Sequence, residues 1–492
     1  MLYIRMFISM LVGLYTSRVV LATLGVEDYG IYGVVGGVVG MMGFLNASMS
    51  GATSRFLTFE LGKGDRQRLA NTFSSALIVH IGIALVVLVL AETVGLWFLC
   101  NKLNIPAERM QAAHWVYQLS ILSAMFGITQ VPYNAAIIAH EKMGVYAYVE
   151  ILNVSLKLLI VYLLCIGNFD KLILYAILML AVSILIMMVY RVYAIRHFPE
   201  AHFHWIWDKS YLRPLLSFSG WNLYGNFGNV AGTQGTTFVV NAFFGVVMNA
   251  AVSVGLTVAN VVNQFASNAM TAFRPPITKL YAQGDVIGMQ NLTMLALKSI
   301  LLLYAVVAIP VFVECDYLLH LWLVDVPEHS VTFCRIFLVS IFFEILRFII
   351  IIDIHASGNV KYVSAFTGTS FVLTPLIVYG CYVINMPPEA GYLVFVALNI
   401  ILGICNVFIA KYYIPDISRR VYFLNILRIV AVCAIVLAII LEISTYMPQN
   451  FFHLIFSTLL SIFILSALAL AICFNKQQRI TLFHFLKSKF HR

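Results

Sequence analysis

Charge is what this chain has least of. Of its 492 residues, 10% are Asp, Glu, Lys or Arg, while 62% are hydrophobic and the mean hydropathy is +0.93. A soluble domain carries about 25% charged residues, so a globular surface facing water on all sides is excluded. No G-x-x-x-x-G-K-[S/T] pattern occurs, and no ATPase is built into the chain. The eight cysteines stand singly at 100, 165, 315, 334, 381, 405, 433 and 473, without CxxC or zinc spacing. Dithiol redox chemistry and a zinc ribbon are excluded, and most of these residues read as small buried hydrophobes. Cys100 and Cys315 both fall near one membrane face, but their spacing alone gives no ground to expect a bridge. Long polar loops are missing too. The longest outer loop, from Cys315 to Val331, cannot house the external catalytic loop of a membrane glycan polymerase or glycosyltransferase.

What the chain does have is apolar length. Runs of about 20 residues, enough to cross a roughly 30 Å hydrocarbon core, recur from end to end. In lipid such runs must be helices, because nothing there can partner an open backbone. Fourteen spans are predicted, at 6–24, 29–52, 73–99, 114–138, 147–167, 171–195, 215–243, 249–272, 291–314, 332–355, 364–386, 391–413, 424–445 and 452–474. The first run, about Met6 to Leu24, is too long for the core of a signal peptide and lacks a small-residue cleavage site. The expected fold class is an all-α integral membrane protein.

Basic residues orient it. With the N-terminus in the cytoplasm, 22 of the 30 Lys and Arg residues fall on cytoplasmic segments or helix ends, and three, Lys102, Arg109 and Lys171, fall outside. This asymmetry predicts an N-in, C-in topology. The net charge of +9 is mostly this bias, so the bilayer is the expected partner and nucleic acid is not.

The chain also repeats itself. Shifted by 220 residues, Ser17–Asp65 lies over Thr237–Asp285 without a gap, matching Val19/Val239, Val20/Val240, Ala22/Ala242, Gly25/Gly245, Val26/Val246, Val34/Val254 and Thr58/Thr278. The run closes with "KGD" at 63–65 against "QGD" at 283–285, and "AHEKMGVYAYV" after span 4 resembles "ASGNVKYVSAF" after span 10. A shift of six spans leaves both copies facing the same way, as in parallel repeats related by an axis along the membrane normal, with the substrate path between halves. The predicted organisation is an N-lobe at 1–205, a C-lobe at 206–415, and two further helices with a basic cytoplasmic tail at 416–492.

Four features carry a resemblance: "SRVVLATLG" in the first span, the turn "LGVEDYGIYGVV", a glycine-rich second span, and the inner loop "GATSRFLTFELGKGD". Together they resemble the polysaccharide-transporter family, the Wzx-type O-antigen and capsule flippases of the multidrug/oligosaccharidyl-lipid/polysaccharide exporter superfamily. Span count and lobe repeat extend the likeness over the chain, and its sequence-specific part is about Arg18–Asp65. The resemblance implies flipping of a polyprenyl-pyrophosphate-linked oligosaccharide from the cytoplasmic to the periplasmic leaflet of a bacterial inner membrane. It also implies working alongside glycan polymerase and assembly proteins.

Ionisable groups inside spans are costly and are functional candidates by default. Arg18, Lys157, Lys298 and Arg347 are the deep cations, suited to a pyrophosphate head, which Arg grips bidentately. Competing readings exist: Glu344 and Arg347 at i,i+3 neutralise one another, and Lys157 and Lys298 snorkel. Amides form a second set. Asn222, Asn226, Asn229 and Thr233 recur in steps of 4, 3 and 4 in span 7, and Asn260, Gln264, Ser267 and Thr271 repeat those steps in span 8. They read either as a wall for sugar hydroxyls or as interhelical hydrogen bonding. Gly33/Gly37 and Gly36/Gly40 are i,i+4 pairs for close helix packing, or for a hinge. No cofactor or metal is expected. The acids Glu92, Glu150, Asp353 and Glu442 lie toward span ends, so a coupling proton or sodium ion has no site readable in the sequence. "TSRFLTFELGKGDRQRLA" and the tail "RITLFHFLKSKF" suit helices on an anionic membrane surface.

The expected function is a non-enzymatic flippase working by alternating access. Three alternatives stand beside it: a cation-coupled multidrug exporter of the same superfamily, a flippase for the peptidoglycan precursor, and an enzyme or structural subunit of membrane glycan assembly.

Overall fold

The structure is a computed structural model. It describes residues 12, 15, 16, 19, 20, 23–25, 28, 31, 32, 35, 43–101, 105–164, 170–323, 325–447 and 450–474. Arg18, Gly33, Gly36, Gly37, Gly40 and the basic tail lie outside the described residues.

Every regular element among the described residues is helical. In chain order they are α1 (Gly43–Lys63), α2 (Arg66–Leu90), α3 (Met110–Ala139), α4 (Met143–Leu163), α5 (Lys171–His197), α6 (Lys209–Ala282), α7 (Val286–Val313), α8 (Cys315–Trp322), α9 (Ser330–Ser357), α10 (Lys361–Val383), α11 (Ala390–Tyr413), α12 (Arg419–Thr445) and α13 (Phe451–Leu468). A π-helical turn, Ala91–Gly95, carries α2 on toward Asn101, and another, Ala469–Cys473, ends α13. Ten helices among the described residues are long and apolar enough to cross a membrane. α9 is not one of them because it carries Arg335, Glu344, Arg347 and Asp353, yet most of its length is buried. This is a multi-pass membrane protein.

Spans 7 and 8 form one 74-residue element, α6, broken at Gly245 with φ 77° and ψ −175°. That backbone conformation is open to glycine alone. Gly25, the matched residue of the repeat, also has positive φ, 83°. At the other end of the repeat Gly64 and Gly284 take φ 76° and 82°. Each is followed by an aspartate that caps the next helix. Asp65 accepts from the Arg68 amide at 3.0 Å, and Asp285 from the Gly288 amide at 2.8 Å. The short Gly-Asp match is therefore a helix stop joined to a helix start.

The chain divides into two compact units: Met1–Asn226 with Tyr281–Gln283, and Phe227–Leu280 with Gly284–Arg492. In the first, α3 packs against α5 and also against α1 and α2, around Leu57, Phe73, Tyr133, Ile137 and Tyr190. In the second, α9 is the central helix, packed against α11 and α7. Glycine allows the closest approaches there. A β-carbon on Gly228 would lie 2.4 Å from the Gly368 carbonyl oxygen, and one on Gly232 would lie 2.6 Å from that of Phe371. Apolar surface gains little by moving from lipid to protein, so such close packing is a main source of helix association.

The acidic outer turn of the first unit has a structural role. Arg109 donates to Asp28 at 2.6 and 2.8 Å and to Asp170 at 2.6 Å, tying the turn to the starts of α3 and α5. The repeat places His329 at the position of Arg109 and Glu389 one residue from that of Asp170, and these two also pair, at 2.5 Å. The repeat thus extends to an outer clamp in each unit.

Arg109 holds the Asp170 carboxyl below its ordinary value of 3.8, with the Ile173 and Leu172 amides adding to the effect. A depressed carboxyl contributes stability that is complete above 3.8 and is lost as pH falls through the lower folded value. Arg109→Gln is expected to bring Asp170 back toward 3.8, so that acid unfolding of the detergent-solubilised protein begins at higher pH. Near-ultraviolet circular dichroism along an acid titration checks this.

Candidate functional site

The second limb of α6, Val247–Ala282, is amphipathic in the reverse of the usual membrane sense. Its buried face is Ala251, Val252, Gly255, Ala259, Val262, Ala266, Met270 and Ile277. Its opposite face is Ser253, Thr257, Asn260, Gln264, Ser267, Thr271 and Arg274, in alternating steps of four and three, all exposed except the half-buried Thr271. At 1.5 Å per residue this polar row runs about 32 Å, roughly the thickness of the hydrocarbon core.

The hydrogen bonds of this row stay within its own helix where they are seen. Ser253, Thr257 and Thr271 donate to carbonyls one turn back in their own helix, at 2.8 to 3.1 Å. Among the described residues, no hydrogen bond is recorded from Asn260 or Gln264 to another helix. An unpartnered amide or guanidinium facing hydrocarbon would be expensive, about 2.5–3.5 kcal/mol for a charged group at a helix centre.

Arg274 completes the row. Its side chain is exposed. The sequence signal for it is one more step of three from Thr271. The shift of 220 also sets it over Ser54, one residue from Arg55. Arg55 is buried in the first unit, its guanidinium 4.6 Å from the Phe56 ring and 4.5 Å from the Phe59 ring.

The first limb of α6 is organised differently. Its glycines 228, 232 and 235 meet Gly368, Phe371 and Pro375 of α10. Asn229 is half-buried and Thr233 exposed, with the Thr233 hydroxyl donated to the Asn229 carbonyl at 3.0 Å. Asn222 is half-buried and Asn226 exposed, both in the part of the helix that belongs to the first unit.

The deep cations that are described have different local surroundings. Lys157 is half-buried on α4 in the first unit. Arg347 is 1% exposed in the core of the second unit, its guanidinium 4.8 Å from the Phe348 ring and 5.4 Å from the Phe371 ring. No ion pair is recorded between Glu344 and Arg347, and Arg347 Nε has no hydrogen-bond partner. Lys298 sits on α7, 6.0 Å from the Phe474 ring. Cys100 and Cys315 are free thiols. Among the described residues no cluster of three or more His, Cys, Asp or Glu could hold a metal ion.

Comparison with known proteins places the fold. No family model matches the chain. No curated protein sequence matches it. Solved structures do. One is an outward-facing multidrug-resistance MATE family transporter of the MOP superfamily, with TM-score 0.71 at 14% identity over 84% of this chain and 94% of that one. The Vibrio cholerae MATE transporter VcmN in its bent form gives 0.67 at 15% identity, over 86% and 97%. A MOP-superfamily transporter from Pyrococcus furiosus, described as having a binding pocket of reversed polarity that suggests a different function, gives 0.66 at 13%, over 84% and 94%. The chain has the fold of MOP-superfamily transporters.

Single cysteines placed in a background free of native ones test the polar row. At 260, 264 and 267 they are expected to react with a membrane-impermeant thiol reagent in proteoliposomes, while at 259, 262 and 266 they stay unlabelled. Gel-shift counting of the labelled fraction reads the result.

Proposed function

We propose that this protein is a flippase for polyprenyl-pyrophosphate-linked oligosaccharide repeat units, moving them from the cytoplasmic to the periplasmic leaflet of a bacterial inner membrane by alternating access. The observation that carries the reading is the exposed polar row on α6, whose one ionisable member, Arg274, is a cation. Hydroxyls and amides over about 32 Å suit a head group rich in hydroxyls, and a guanidinium suits a diphosphate. Arg18, Lys157, Lys298, Arg347, Asn222, Asn226, Asn229, Asn260 and Gln264 remain the proposed substrate contacts from the sequence. Arg274 joins them, with Asn260 and Gln264 on its own face. Polymerase and other glycan-assembly proteins are the proposed partners, and a proton or sodium ion the proposed coupling cation.

A second reading is favoured by the fold comparison, in which one similar structure is a multidrug-resistance MATE family transporter: a cation-coupled multidrug exporter. A site for cationic drugs calls for acidic groups on the exposed polar row, and this row has none. The Pyrococcus transporter, with its reversed pocket polarity, is a precedent for a different function on this fold.

The test separates the two. Deplete the protein in its host, extract polyprenyl-pyrophosphate glycans, and identify them by mass spectrometry alongside surface glycan and drug tolerance. The flippase reading expects one completed repeat unit to accumulate while its surface glycan is lost. Arg274→Ala should cut export at least tenfold at normal expression, with partial recovery in Arg274→Lys. An unchanged lipid pool and surface glycan with lowered drug tolerance would sink this reading in favour of the exporter.

A further inference from the structure

The second unit holds a recess that the polar row does not use. It is about 640 Å³, open space at its mouth included, and lies between α7, α9 and α12. Tyr304, Phe312, Phe342, Phe343, Cys433 and Ala434 are among its lining residues, and its walls are apolar. The one hydroxyl there, on Tyr304, is donated to the Leu338 carbonyl at 2.8 Å. Sugar and water have nothing to bind in such a space. A hydrocarbon chain does.

What stands at its inner end identifies the rest of the ligand. Lys298 lies six residues before Tyr304 on α7, about 9 Å along the axis. Arg428 lies two residues before Val430, another lining residue, on α12. The two cations act on one another, and no carboxylate is among the groups acting on Lys298. Lys298 is only 3% exposed, and no acceptor is recorded for its ammonium among the described residues. Two neighbouring cations with no carboxylate beside Lys298 repel one another as they stand. An anion would neutralise both.

Depth says where that anion comes from. The Lys298 ammonium lies 6.0 Å from the ring of Phe474, which follows directly on the membrane-crossing stretch Phe451–Cys473. With the C-terminus inside, this is the cytoplasmic end of that helix, where lipid phosphates lie and long basic side chains reach them.

From this we infer that the second unit carries a binding site for an anionic phospholipid of the inner leaflet, its phosphate between Lys298 and Arg428 and one acyl chain rising into the α7–α9–α12 recess. The site would hold a resident lipid whatever the transported substrate is. It gives Lys298 a role apart from the exposed polar row on α6.

The test uses the full-length protein in nanodiscs. These carry a trace of phosphatidylglycerol with a photoactivatable acyl chain, or phosphatidylcholine with the same chain. After irradiation, peptide mass spectrometry maps the label. Phosphatidylglycerol is expected to label the recess segments of α7, α9 and α12 several-fold more than phosphatidylcholine. Arg428→Gln, alone or with Lys298→Gln, should bring the two lipids level. Ala434→Trp, which fills the mouth, should suppress labelling by both. Arg428 and Ala434 are exposed, so these variants leave the core intact. Excess inorganic phosphate should leave the label in place. Three results would each overturn the proposal: equal labelling by both lipids in the unaltered protein, labelling indifferent to Ala434→Trp, or full displacement by inorganic phosphate.

Discussion

A polar side chain inside a bilayer must find protein, water or a phosphate head, because hydrocarbon offers it nothing. That constraint sorts the polar residues of this chain. Asp353 is fully buried, and both its oxygens accept hydroxyls, from Thr293 at 2.5 Å and from Tyr422. The row from Ser253 to Arg274 is mostly exposed, and its seen hydrogen bonds run to its own helix. Outside the spans, Phe203, Trp205 and Trp207 are exposed on alternate residues of an extended stretch, with His204 turned inward to Ser74 and Asn71. Aromatic rings of that kind suit the membrane–water interface.

The same constraint explains how the two helices beyond the repeat are held. At the positions of Thr293 and Asp353 in the second unit, the first unit carries Phe73 and Tyr133, whose rings meet edge to face at 5.1 Å. One pair of repeat-related positions is thus an aromatic contact in one copy and a hydroxyl–carboxylate contact in the other. The change gives α12 something to bind, since Tyr422 reaches Asp353 from that helix. Gln290 adds a second tie by exchanging two hydrogen bonds with the Ser418 backbone, at 2.8 and 3.1 Å. Glu314 and His453, both buried, add a third between the end of α7 and α13, at 2.9 Å. Apolar faces alone would leave these helices without a register. Buried polar pairs set one.

Much of this was legible in the sequence because it depends on period and backbone. The glycine at the outer turn and the Gly-Asp at the inner loop are backbone signals, and positive φ and aspartate caps appear where the repeat puts them. The polar steps in span 8 are a pattern signal, and they share one mostly exposed face. Long-range partners were not legible. Asp353 reads as an acid near a span end because its partners lie 60 and 69 residues away. Arg347 and Glu344, one turn apart, do act on one another, but the rings of Phe348 and of Phe371 on another helix that also face the guanidinium were not readable from that spacing. Arg274 lies just beyond the predicted end of span 8, but the helix runs on past it through Pro275 and Pro276 to Ala282.

The repeat also shows where the two copies have diverged. The residues of the first copy in register with Ser253, Thr257, Asn260, Gln264, Ser267, Thr271 and Arg274 are Gly33, Gly37, Gly40, Phe44, Ala47, Gly51 and Ser54. Six of those seven are glycine, alanine or serine. In the second copy this register carries hydrogen-bonding groups and a cation, while in the first it carries small residues. Packing against a neighbouring helix explains a few glycines, but it does not explain why the small positions share a register with the polar ones. The two copies have kept the same period and diverged in what they place on it.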